Sequence, residues 1–441
     1  MGGSAFASGP NALFTPRMPP DVYTQVRERC KAALRQLFVC VAAPIEGPGK
    51  KDHGDVDLIV ALPRRLVFGA DDPASSEEEY DFSFAAQVQV MARALGAERT
   101  IVNADNSCHI AVPWPADEAQ EERPRFVQVD VRVCASIPQL QWMLFKHAHG
   151  DIWNLLGSIT RRYGLTVDDE ALWVRVPEIE AHNRRRAKVF LTADPAMVLE
   201  FLGLTQAGTV WEEPFESAEA MFEYVATCRL FSVSPAAQEA GEQQQQEEAE
   251  EDRSKLKSNE RRRMGQRDIY RRWIEEFVPQ CRAQGRFPPA AVPPTRESVR
   301  REALARFGLA RWFYEKRLAE WRHERQEEEV WRSAIKASVP QDLDPQHRGV
   351  LCSALKRIVM REDESFGVSR ADHPAFKTED GWYLVDQVRE WVVQHWKEVE
   401  DVAWQRQLER ARENMRLKEM KCKAAVAVRP YDRGASSVPV S

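Results

Sequence analysis

The chain has 441 residues, of which 43% are hydrophobic and 29% charged, with a formal net charge of −6. That length allows more than one domain with sizeable cores, and the composition is that of a soluble globular protein. No apolar run is long enough to span a bilayer, and the start of the chain lacks the apolar stretch of a secretory signal.

Cys30, Cys40, Cys108, Cys134, Cys228, Cys281, Cys352 and Cys422 are scattered, with no Cys-x-x-Cys pair. This spacing points to reduced thiols in the cytoplasm or nucleus, and away from zinc or a disulfide framework. Residues 1–20, rich in Gly, Ser, Ala and Pro, are predicted to be disordered. Val22, Val26, Ala33, Leu34 and Leu37 predict a helix over 21–41. A Gly/Pro-broken loop follows, carrying Gly47, Gly49, Lys50 and Lys51. Lysines beside a metal site suit a triphosphate, whereas a solvated turn is the plainer alternative.

The loop runs into Gly54-Asp55-Val56-Asp57-Leu58-Ile59-Val60. In a strand, Asp55 and Asp57 project from one face and Val56, Leu58 and Val60 from the other. Two carboxylates on one face repel, and a divalent cation relieves the repulsion. A turn-flanking Asp pair is the alternative. Val127, Val129, Val131 and Val133 alternate with Gln128, Asp130 and Arg132, which predicts a second strand over 126–133. If the two strands are neighbours, Asp130 joins the pair. Three carboxylates then form a site for two Mg²⁺ or Mn²⁺ ions, as used in nucleotidyl transfer. Otherwise Asp130 pairs with a nearby arginine.

Acidic loops are expected over 71–81 and between strands 110–114 and 126–133, and a helix over 84–95. Helical pattern runs over 138–163, broken near His147-Ala148-His149-Gly150. His147 and His149 would not share a helix face, which argues against a joint metal role. Gly164 suits a helix end, 188–192 a strand, and Asp194-Pro195 the start of a helix ended by Gly203.

In their order along the chain, these pieces resemble the family X DNA polymerases, the polymerase beta-like branch of the nucleotidyltransferase superfamily. The resemblance rests on Gly49-Lys50-Lys51-Asp52-His53-Gly54-Asp55-Val56-Asp57, on Val129-Asp130-Val131-Arg132-Val133, and on Gly150-Asp151-Ile152-Trp153-Asn154. It continues through Gly164 to Leu172, and from Thr192 to Leu204 with Glu213-Pro214, covering roughly residues 30–230. It implies metal ligation and catalysis by Asp55, Asp57 and Asp130, and binding of an NTP or dNTP. The nucleotide contacts would come from Gly47, Gly49, Lys50, Lys51, Arg132, Gly150, Asp151 and Asn154. The chain departs from the family in three places. Pro44 and Ile45 stand where a Gly-Ser holds the triphosphate, leaving Gly47 as the nearby backbone donor. His147-Ala148 replaces an aromatic pair, and the serine after Gly150 is absent.

Beyond about residue 234 the resemblance ends. A Gln/Glu-rich linker is expected over 236–258. Residues 253–336 then carry an excess of roughly ten positive charges. Trp273, Trp312, Phe313, Tyr314, Trp321 and Trp331 are interleaved with those arginines. The pattern suits DNA or RNA, and equally a helical bundle with an aromatic core. Helices are expected over 353–361, 382–393 and 399–423, the last able to pair as a coiled coil, with a disordered tail over 426–441.

The expected architecture is therefore an α/β (α+β) nucleotidyltransferase-like core with a separate all-α C-terminal domain. A catalytic core spans 21–135, a helical and β extension 136–235, and a basic, then mixed-charge helical domain 259–425. The expected activity moves a nucleoside monophosphate from an NTP to an acceptor hydroxyl, on nucleic acid. The alternative is a binding or scaffold protein that keeps the fold with little catalysis. No membrane association is expected.

Overall fold

The computed structural model describes residues 3–68, 83–115, 123–204, 211–234, 258–368 and 374–427. The expected loop over 71–81, most of the 236–258 linker and nearly all of the 426–441 tail lie outside the described residues, as does the loop at 116–122. The chain divides into two compact units, residues 1–314 and 315–441.

The first unit is built on a five-stranded mixed sheet in the order β1-β2-β5-β4-β3. Its strands are β1 (Phe38–Ala42), β2 (Asp55–Pro63), β3 (Arg99–Val102), β4 (Ser107–Pro113) and β5 (Phe126–Cys134). Only β2 and β5 run parallel, at the centre. β1 falls inside the predicted helix over 21–41. That helix, α1, stops at Leu34, and the Phe38-Val39-Cys40-Val41 run favours extended backbone.

Alternation sorts the central strands. Val56, Leu58, Val60, Ile110, Val129 and Val131 are each at most 1% exposed and form one core. Against them pack Val26 and Leu34 of α1 (Pro20–Leu34) and Val88 and Met91 of α2 (Phe84–Leu95). Burying each such side chain contributes about 1.5–3 kcal/mol. The opposite face carries the aspartates. A second sheet is an antiparallel meander of β6 (Leu165–Val167), β7 (Leu172–Arg175) and β8 (Lys188–Thr192).

The start of the chain departs from the expected disorder. Residues 3–18 are strapped across the sheet, with Phe6 and Met18 buried at 1% and 0% exposure. Gly3 N donates to Asp55 Oδ2 at 3.1 Å, Ala5 N to Gln128 Oε1 at 2.9 Å, and Phe126 N to Phe14 O at 2.9 Å. A Cβ on Gly3 would lie 2.0 Å from Gly54 O, so only glycine allows this approach. Composition misses the strap because two apolar anchors and backbone amides hold it. Phe6→Ala is expected to free it locally: proteolysis before residue 18 should quicken while the main melting transition stays within about 2 °C. A large fall in that transition would instead make the strap part of the cooperative core.

Residues 258–314, expected in a C-terminal domain, belong to the first unit. Arg229–Glu302 (3.0 Å), Arg286–Glu223 (2.5 Å), Arg306–Glu200 (2.7 Å), Arg272–Glu219 and Arg296–Glu180 pair across this layer. Phe222–Trp273 and Phe201–Phe307 join it through rings 5.6 and 5.2 Å apart. Trp273 and Tyr314 are thus core, while Trp312 and Phe313 stay 53% and 44% exposed.

The second unit is helical. Leu351, Leu355 and Ile358 of Pro345–Arg361 pack with Val388, Trp391 and Val392 of Val385–Ala427. Two helices were expected over 382–423. One 43-residue helix forms because no Gly or Pro interrupts it and Val399 and Ala403 continue the buried stripe. No helix among the described residues is long and apolar enough to cross a membrane.

Candidate active site

Parallel pairing of β2 with β5 sets Asp57 beside Asp130 and Asp55 beside Gln128. Antiparallel pairing of β4 sets His109 on the other side of Asp130. All five side chains therefore leave one face of the sheet, opposite the valine core. Burial first, then the charges of Asp55 and Asp130, push the Asp57 carboxyl up to about 7. Asp57 also keeps a path to water at the floor of a cleft, so solvent screens part of this effect. Burial and the Asp130 charge likewise raise Asp55.

Asp130 Oδ1 receives His109 Nδ1 at 2.7 Å and Gln128 Nε2 at 2.8 Å. Asn103 Nδ2 donates to His109 Nε2 across 3.3 Å, which assigns the remaining imidazole proton to Nδ1. Asp130 Oδ2 and the Asp57 carboxylate have no hydrogen-bond partner among the described residues. By charge the set fits a divalent cation, since three like charges share one face. Yet among the described residues no group of three His, Cys, Asp or Glu side chains is arranged to hold a metal. Asp130 Oδ1 is turned to its neighbours on the sheet and Asp55 Oδ2 to the strap.

A cleft of about 460 Å³ opens from Asp57 and is lined by Gly47, Lys50, Lys146, Gly150, Asn154, Arg161, Arg263 and Arg267. The loop before β2 reaches the turn ahead of the helix Ile152–Thr160 through glycine. A Cβ on Gly47 would lie 3.3 Å from His149 O and 3.4 Å from Gly150 Cα, and Gly150 takes φ +60.

The remaining nucleotide candidates fall elsewhere or are engaged. Lys50 pairs with Glu46 at 2.5 Å, which offsets its charge. Asp151 pairs with Arg267, and Asn154 donates to Asp151 Oδ1 at 3.0 Å. Arg132 binds Asp105 at 2.6 Å and lines a neighbouring pocket of about 170 Å³ with Asp130, His109 and His147. Gly49 and Lys51 are exposed and line neither cavity. His149 is fully buried with Nε2 2.9 Å from Trp211 O, so it does not join His147 at a metal.

Sequence reasoning passed over His109, Lys146, Arg161, Arg263 and Arg267. Alternation in Ser107-Cys108-His109-Ile110 was a usable signal for His109, because Cys108 and Ile110 mark the core face. The arginines carried no such signal, since Arg263 and Arg267 arrive from across the linker.

No family model matches the chain, and no curated protein matches it significantly.

Proposed function

We propose that the first unit is a metal-dependent nucleotidyltransferase that moves a nucleoside monophosphate from an NTP or dNTP to an acceptor hydroxyl. The observation that carries this is the register pairing of Asp57 with Asp130, two residues from Asp55, at the floor of a cationic cleft. Asp55, Asp57 and Asp130 would hold Mg²⁺ or Mn²⁺, and the chemistry such an ion would supply is charge neutralisation on the phosphoryl and pyrophosphate oxygens. Asp130 Oδ2, left open by His109 and Gln128, would take the proton of the attacking hydroxyl. His109 holds Asp130 in place through Nδ1–H. Lys146, Arg161 and Arg263 would bind the triphosphate by charge, and the close approach of Gly47 to Gly150 keeps side chains off that part of the cleft wall.

A scaffold with the same fold is the second reading. Glu46 on Lys50 and the strap on Asp55 favour it.

Purified protein, Mg²⁺ or Mn²⁺, labelled NTPs and dNTPs, and a mixed set of acceptors separate the two. Transfer of label that is lost on chelation is the expected result. Metal-dependent stabilisation without transfer to any acceptor would establish the scaffold reading.

A further inference from the structure

A second cleft, of about 700 Å³, lies beside the first, and Arg161 and Arg263 line both. Eight cationic side chains and one carboxylate, Glu180, line it. Glu180 already forms ion pairs with Arg175 at 2.8 Å and Arg184 at 3.4 Å, and accepts a hydrogen bond from Arg296. Asp168 takes up Lys188. Among the described residues that line or border the groove, cations outnumber carboxylates. Such a surplus in a concave site focuses positive potential and disfavours the empty state by self-repulsion. A polyanion relieves it.

The same face of the small sheet adds a second feature. Register pairing puts Trp173 opposite Phe190 and Arg175 opposite Lys188. The two rings sit 5.8 Å apart, edge to face, and Phe190 is 45% exposed. Lys188 Nζ lies 4.6 Å over the Trp173 ring. An exposed aromatic beside a cationic groove serves phosphates and unpaired bases together, and nothing in a small inorganic anion would use the ring.

We propose that this groove is a binding track for a single-stranded polynucleotide, whose phosphates lie along the arginines while a base stacks on Phe190. Where the Asp57 cleft is the transferase site, the strand is its acceptor, delivered past Arg161 and Arg263. Binding itself does not depend on that reading. Among the described residues, Arg263 and Arg296 bring charge from 253–336 into this groove. Arg267, Arg272, Arg286 and Arg306 are paired with acids elsewhere in the fold.

The test is anisotropy of a labelled single strand of about 12 nucleotides, as RNA and as DNA, with duplex DNA and tripolyphosphate as competitors. The full chain is used, alongside Arg185→Glu and Phe190→Ala, both at exposed positions outside the candidate active site. Phe190→Ala is expected to weaken single-strand binding roughly 5–100-fold and Phe190→Tyr to restore it. Arg185→Glu should weaken it and flatten its salt dependence. Unchanged affinity in both groove variants overturns the proposal. So does duplex binding as tight as single-strand binding, or complete displacement by an equimolar amount of tripolyphosphate. Tight, groove-dependent binding without transfer to any acceptor leaves the track standing and removes the transferase reading. Transfer to a small acceptor without strand binding does the reverse.

Discussion

Asp57→Asn is expected to lower nucleotidyl transfer by about 10³-fold or more, because it removes the carboxylate at the centre of the repelling set. The same change should stabilise the metal-free protein at pH 8. Asp57 is raised from 3.8 to about 7 in the folded protein, so the fold keeps a proton there that the unfolded chain has released. Stability from that protonated form is complete below about pH 4 and is lost as the pH climbs through about 7. Asparagine has nothing to lose over that window. At pH 8 the variant should be more stable by about 1–2 kcal/mol, well under the ~4 kcal/mol of the full displacement, because solvent reaches the carboxylate. Mg²⁺ should narrow the gap by binding wild type more tightly. Melting curves at pH 4 and pH 8, with and without metal, measure all of this. A variant melting far below wild type at pH 8 without metal would make Asp57 a structural acceptor.

Glu180→Gln is expected to be the most destabilising conservative change in the first unit. Glu180 is 15% exposed and faces the Arg175 side chain, itself 5% exposed. Removing the charge leaves a buried guanidinium paired only to neutral acceptors such as Arg161 O and Leu165 O. The expected loss is about 2–4 kcal/mol near neutral pH. For a unit of this size that lowers the melting temperature by roughly 3–6 °C. Against the cost of its own burial, the hydrogen bond from Arg296 and the charges of Arg175 and Arg184 hold the Glu180 carboxyl below its usual range. Its contribution is therefore present above the ordinary glutamate pKa and disappears as the pH falls through the depressed one. Wild type and variant should converge in acid. An equal gap at every pH would assign the loss to packing instead.

Periodicity alone determined the polarity of the central sheet. Alternation in 55–60 and 126–133 assigned Asp55, Asp57 and Asp130 to one face and the valines to the core, because side chains leave a strand on opposite sides whatever surrounds it. β1, with Leu37 before it extending the apolar pattern of α1, was hidden, since a short apolar run reads as either state. Charge composition marked residues 253–336 as basic but did not say what the charge met. Pairing with Glu180, Glu200, Glu219 and Glu223 arises only when chain segments separated by a linker are folded together. Tertiary structure also decided that His109 faces Asp130, that the first residues strap Asp55, and that Arg161 joins two clefts. Each of these is a contact between residues distant in the chain or on different strands. Local pattern specifies which way a side chain leaves its own backbone, and strand order and helix docking specify what it then meets.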